Sequence, residues 1–151
     1  MSARHTLIIY PAAGIRRDLS TIRPVETRRF AELEAAIDAA RALYDASQDP
    51  FIAEVHADPD AASLEDYIRA ENVAGAWLES NPKPGCMTGT LADADYFRET
   101  YGITTARELD DHLFWASWSD AYKSACGHRP SHRPETRAAA EHILEAAWAA
   151  A

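Results

Sequence analysis

Cysteine is scarce in this chain: Cys86 and Cys126 are the only two among 151 residues. Two cysteines so far apart make neither a disulfide framework nor a paired-cysteine knuckle, and a reducing cytoplasm is their simplest setting. Long apolar runs are missing as well. Nothing approaches the ~20 residues that a bilayer-spanning helix requires, and no basic segment leads into an apolar one as in an export signal. These absences predict a soluble, unexported, cytoplasmic protein with no membrane partner. Neither Ser119 nor Cys126 sits in a Gly-x-Ser-x-Gly elbow, and no glycine-rich phosphate loop is present, which removes two common catalytic signatures. There is no internal repeat, and the one biased tract is the alanine-rich tail.

What is present is enough chain for one domain that buries most of its apolar surface without covalent staples, and residues 1–151 read as a single domain. The formal charge of −9 is unevenly spread. Residues 1–30 carry a net +4, residues 31–111 hold 5 basic against 18 acidic side chains for a net −13, and the remainder balances. Such an acidic block repels a phosphate backbone, so direct nucleic-acid binding through it is excluded, while basic protein surfaces are attracted. The same charges also suit a solvated face that keeps an alanine-rich protein in solution.

Along the chain, Thr6 to Tyr10 has the β-branched and aromatic composition of a short buried strand. Ala12 to Arg23 reads as a loop offering Arg16, Arg17 and Arg23. From Thr27 to Ala46 the spacing of Phe30, Leu33, Ala36, Ile37, Ala40, Leu43 and Tyr44 predicts an amphipathic helix. A second strand follows over Phe51 to Ala57, and a strand-helix-strand order predicts parallel pairing wherever the two strands meet directly. Ser63 with Asp66 opens another helix that runs towards Trp77 and Leu78, with Gly75 as its weak point. Asn81 to Gly89 is a surface loop, and Cys86 to Leu91 has room for a short edge strand. Asp93 caps a short helix that Gly102 ends. Thr105 and Glu108 form a capping box that starts the longest helix, Ala106 to Cys126, and Gly127 stops it. A last helix spans Glu135 to Ala149, with Ala138, Ala139, His142, Ile143, Ala146 and Ala147 along its face. The expected fold is therefore α-rich α+β, a two- or three-stranded sheet packed with about five helices.

Four groups of residues have the chemistry for a site. Cys126, His128 and His132 offer a thiolate and two imidazoles at a spacing that one zinc ion accepts, with Glu135 or His112 as a fourth ligand; the simpler reading is a polar turn whose Cys126 packs as a small hydrophobe and whose histidines are exposed. His56, Asp58 and Asp60 alternate after a strand and share one side if the extended backbone continues, whereas Pro59 and the approaching helix favour a turn with Asp58 or Asp60 as turn former or helix-entry residue. His112 lies beside Asp111, Trp115 and Trp118, a pattern for a tuned base in a cleft or, more simply, for the polar margin of an aromatic core. Finally, Glu54, Asp58, Asp60, Glu65, Asp66, Glu71 and Glu79 gather carboxylates that can imitate a phosphate row. Opposing them are Arg16, Arg17, Arg28 and Arg29, together with the loop of His128, Arg129, His132 and Arg133.

The residues around that last loop, WSDAYKSACGHRP, resemble a short motif, roughly Tyr-Lys-Asp-x-x-Gly-x-Arg-Pro-Arg, of small uncharacterised proteins from tailed phages and bacterial mobile elements. Tyr122, Lys123, Gly127, Arg129 and Pro130 match, whereas Ser124 and Ser131 depart from it. The resemblance implies a viral or mobile-element origin and carries no activity with it. Joined to the charge pattern, it leads us to expect a non-enzymatic inhibitor of the anti-CRISPR or anti-restriction type, whose acidic face occupies the basic nucleic-acid groove of a host defence protein. A small metal-dependent hydrolase or nucleotide-binding enzyme is one alternative, and a homodimer with tryptophans in its interface is another. The first reading needs no cofactor.

Overall fold

A computed structural model describes residues 4–12 and 23–151. Arg16 and Arg17 lie outside them. The chain groups into two compact units, Met1–Ala106 and Arg107–Ala151. Among the described residues no helix is long and apolar enough to cross a membrane.

The first unit is built on a three-stranded antiparallel sheet, β1 (His5–Ile9), β2 (Glu26–Phe30) and β3 (Ala53–His56), in the order β2-β1-β3. Helices α1 (Leu33–Ser47), α2 (Leu64–Glu71), α3 (Val73–Ser80) and α4 (Ala94–Tyr101) complete the unit. The α+β, helix-rich architecture is the one expected.

β2 corrects the expected helix start at Thr27. Apart from half-buried Phe30 its residues are exposed, so a helix here would have no apolar face to bury. As a strand, the same segment pairs its backbone with the otherwise open side of β1. The helix begins only at Leu33, where Leu33, Ala36, Ile37, Ala40 and Tyr44 turn a buried stripe inward.

The inserted β2 also reverses the chain direction. β1 and β3 do pair directly, but antiparallel, contrary to the parallel arrangement the strand-helix-strand order suggested. The parallel strands are β2 and β3, joined by α1 and separated by β1. Leu7, Ile9, Ala53 and Val55 supply the buried face of the sheet, and fully buried Tyr44 donates its hydroxyl to the Ala53 carbonyl at 2.7 Å. Phe51, placed in the second strand by its alternation, instead stands exposed in the preceding turn.

Ser63 caps α2 by accepting the Asp66 N–H at 3.1 Å, and Asp93 caps α4 by accepting the Tyr96 N–H at 2.9 Å. The helix expected through Trp77 breaks at Asn72. There the side chain accepts the Leu91 N–H at 2.7 Å and donates to the Leu91 carbonyl at 3.0 Å, tying the 82–93 connection to the break. Gly75 follows because a Cβ would overlap Thr90 Cγ2 and stand 3.0 Å from Thr88 Oγ1. Cys86 to Leu91 forms no strand.

The second unit holds α5 (Ala106–Cys126), all but its first residue, and α6 (Arg137–Ala150). Gly127, at φ 82°, stops α5 as its sequence position predicts. Thr136 caps α6, accepting the Ala139 N–H at 3.1 Å. The inward residues of α6 are half-buried Arg137, fully buried Ala140, and half-buried Leu144 and Ala147, a rotation from the face the alanine spacing suggested. Buried Trp118 of α5 fixes that rotation by donating its indole N–H to the Ala140 carbonyl at 3.2 Å.

Arg137 strengthens the same contact. Its Nη1 lies 2.6 Å from both Asp110 Oδ2 and Asp111 Oδ1, its Nε lies 2.9 Å from Glu141 Oε1, and its guanidinium stands 4.6 Å from the Phe114 ring centre. Burial works against its charge, but Glu141, Asp111 and Asp110 outweigh it and hold the pKa above that of ordinary arginine. Arg137→Met should lower stability by about 1 kcal/mol, since the pairs are only partly screened and methionine retains the stem packing. Urea melts at low and high salt would check this: the gap between wild type and variant should narrow as salt rises.

Candidate functional site

The strand β3 alternates Ala53 and Val55 into the core with Glu54 and His56 on the other side. His56 is the centre of the arrangement. Its Nε2 lies 3.0 Å from Glu54 Oε2, and its Nδ1 lies 3.1 Å from Glu71 Oε1, which α2 brings in from its last turn. The Tyr10 hydroxyl donates to the same Glu54 Oε2 at 3.2 Å.

Charge follows from this geometry. The hydrogen bond to Glu54, then that to Glu71, pushes the His56 pKa up to about 10 against the opposing effect of burial. His56 is therefore an imidazolium at neutral pH and no general base. Its hydrogen bond holds Glu54 below the usual carboxylate range, while burial, with Glu54 beside it, pushes Tyr10 up to about 12. The three ionised groups sum to one negative charge.

These residues line a cleft of about 580 Å³, within the range of small-ligand pockets. Tyr44, Phe51, Ala70 and Ala74 supply its apolar wall, and Met87 to Gly89 its rim. The sequence singled out His56 but grouped it with the residues after the strand. The better signal was Glu54, two positions away on the same side of β3. Tyr10 and Glu71 depend on strand register and helix placement, which spacing alone does not give.

His56, Asp58 and Asp60 do not share one side: the turn expected at Pro59 is present. Extended backbone ends at His56, and Asp58 closes a turn, its Oδ1 accepting the Asp60 N–H at 2.9 Å and its carbonyl accepting the Ala62 N–H at 2.9 Å. The Asp58 N–H donates to Nδ1 of buried His5 at 3.2 Å, a role for His5 that its sequence surroundings did not suggest.

The acidic set divides into different environments. Glu54 and Glu71 belong to the cleft. Glu65 pairs with Arg98, Asp66 pairs with Arg69 at 3.4 Å, and Glu79 is exposed. Arg28, on β2, is held by Glu26 at 2.6 Å, and Arg29 is exposed beside it.

In the second unit the geometry does not support the alternative of a zinc site at Cys126, His128 and His132. Among the described residues no three His, Cys, Asp or Glu side chains form a group able to hold a metal ion. His128 Nδ1 faces the Arg129 carbonyl at 3.1 Å, His132 Nδ1 faces Ser131 Oγ at 3.1 Å, and Cys126 is exposed and free. Arg129 pairs with Asp120 at 2.8 Å and donates to Ser119 at 3.0 Å, while Arg133 stacks 3.7 Å over Trp115. The basic loop thus spends much of its donor capacity on α5. Asp111, beside His112, is engaged by Arg137, and Trp115, Trp118 and Tyr122 run as a ladder of ring contacts.

No family model, curated protein or solved structure matches this chain.

Proposed function

We propose that this chain is an acidic accessory protein of phage or mobile-element origin that acts without catalysis, docking on the basic nucleic-acid-binding surface of a host defence complex. One observation carries the reading. The arginines of α1, α2 and α4 are paired within their own unit, Arg41 with Asp38, Arg69 with Glu34 and Asp66, and Arg98 with Glu65 and Asp95. Exposed Glu32, Glu79 and Glu99 add to these, so the helices present a surplus of negative charge. A surplus of one sign raises association rates with an oppositely charged groove and repels nucleic acid. The motif around Tyr122 to Pro130 supports the proposed origin.

The test is capture of a nucleic-acid-binding defence complex on the tagged chain, with washes of increasing salt. We expect retention at low salt, release as the Debye length shortens, and displacement of nucleic acid from the captured complex. Replacing Asp60, Asp66 and Glu79 together by their amides should weaken capture at least tenfold. A folded bait that captures nothing at low salt, or a complex that keeps its nucleic acid, would sink the proposal.

A further inference from the structure

The two edges of the sheet differ. Among the described residues no strand lies beyond β2, and Glu26 to Arg29 are exposed, whereas Ala53 and Val55 of β3 are buried. A row of unpaired backbone groups on an accessible edge is a template for another strand. Pro24 falls before β2, and Glu26 to Phe30 contains neither proline nor lysine to blunt that edge.

The ladder fixes which groups are on offer. Tyr10 donates its N–H to the Ile52 carbonyl at 2.8 Å, so Thr6, Ile8 and Tyr10 turn their backbone groups to β3, while His5, Leu7 and Ile9 turn theirs to β2. Their partners Phe30, Arg28 and Glu26 therefore face β1, as the Phe30 carbonyl does in accepting the Arg4 N–H at 3.0 Å. Thr27 and Arg29 are left pointing their N–H and C=O outward. On the intervening positions, Arg28 holds Glu26 in a forked pair, Nε to Oε1 at 2.6 Å and Nη2 to Oε2 at 3.1 Å.

We propose that this edge pairs with β2 of a second copy, antiparallel about a two-fold axis at Thr27, joining the two sheets edge to edge. The occupant is selected by charge, because β2 is complementary to itself. With Thr27 opposite Thr27, Glu26 of each copy stands opposite Arg28 of the other, and the four charges alternate in sign. The alternation of inward and outward backbone groups admits a two-fold axis at a residue and not between residues. An axis at Glu26, Arg28 or Arg29 sets that charge against itself. Thr27 is the position in this run that brings opposite charges together, and a threonine pair at the centre is itself favourable. Val25, 65% exposed, then comes beside the aliphatic stem of Arg29 of the other copy. One strand from each copy is a small interface, so association belongs in the micromolar range. None of the helical carboxylates is used, and the pairing stands independently of the proposed docking face.

The experiment is sedimentation equilibrium of the full chain from about 1 μM to about 1 mM. We expect a reversible monomer–dimer equilibrium in the wild type, with amide exchange at Thr27 and Arg29 slowing as dimer forms. Thr27→Pro removes the central N–H, which points away from β1, and should weaken the dimer at least tenfold. Glu26→Arg sets arginine opposite arginine and Arg28→Glu sets glutamate opposite glutamate, so each variant alone should also associate at least tenfold less tightly. An equimolar mixture of these two variants brings opposite signs back together, and should dimerise at least tenfold more tightly than either alone. That recovery also shows that both are folded. A wild type that stays monomeric overturns the proposal and leaves the edge to a strand of another protein. A dimer that survives Thr27→Pro, or whose formation leaves exchange at Thr27 and Arg29 unchanged, overturns it in favour of another surface, such as the tryptophans of α5. A mixture of the two charge variants that associates no better than each alone, with both folded by circular dichroism, overturns the pairing about Thr27.

Discussion

Tyr44→Ala should reduce the unfolding free energy of the chain by about 4 kcal/mol, the range expected when a fully buried aromatic side chain is truncated. Tyr44 has no exposed surface, and its ring centre lies 5.8 Å from that of Trp77. Trp77 is fixed in turn by donating its indole N–H to Asp45 at 2.8 Å. Alanine removes the ring, leaves a cavity beneath the cleft, and deprives the Ala53 carbonyl of its donor. Tyr44→Phe separates these contributions. It keeps the packing and loses the hydrogen bond alone, for which about 1–2 kcal/mol is expected. Chemical denaturation of the two variants would check both numbers, and equal losses would mean that the hydroxyl, not the ring, dominates at this position.

His56→Gln should cost ~2 kcal/mol near pH 6, because it leaves Glu54 and Glu71 without the cation between them. A fully buried pair broken in this way loses more, but water reaches 41% of the His56 side chain and screens the charges. The pH dependence is the sharper test. The folded pKa of about 10 lies above the ordinary value of 6.5, so the stabilisation is complete below pH 6.5 and is lost as pH rises towards 10. Glu54 has the opposite sign. Its pKa is lowered from 4.5, so its contribution is present above that pH and lost on further acidification. Stability arising from these groups should therefore peak between about pH 4.5 and 6.5. Urea midpoints from pH 4 to 10.5 should show the wild type falling towards the His56→Gln variant on the alkaline side. Parallel curves would mean that His56 is not charged between the two acids.

Helices whose start and stop were written in local chemistry could be read before folding. Ala106 to Cys126 is bounded as expected, as are the entries at Ser63 and Asp93, because capping depends on residues a few positions apart. β2 could not be read this way. Glu26 to Phe30 is a strand because β1 has an open side to fill, a fact about distant chain that no local propensity contains. The rotation of α6 depended similarly on one tryptophan N–H reaching Ala140. At the cleft, the acidic residues and His56 were visible as chemistry, but their partnership came from tertiary placement. Pro59 already hinted that extended backbone would stop before Asp60. Nothing in the sequence announced that α2 would carry Glu71 back to the strand.

The double hydrogen bond between Asn72 and Leu91 has an evolutionary consequence. An amide side chain copies the peptide group, presenting one donor and one acceptor to the same backbone residue. Aspartate lacks the donor, serine lacks the reach, and glutamine adds a methylene to a fixed distance. Position 72 is thus nearly closed to drift, and it closes Gly75 with it, because the tie brings Thr90 against that glycine. Exposed acids such as Glu79 and Glu99 meet no such geometric demand. In lineages descended from this chain, the acidic surface should wander while the asparagine and the glycine travel together or disappear together.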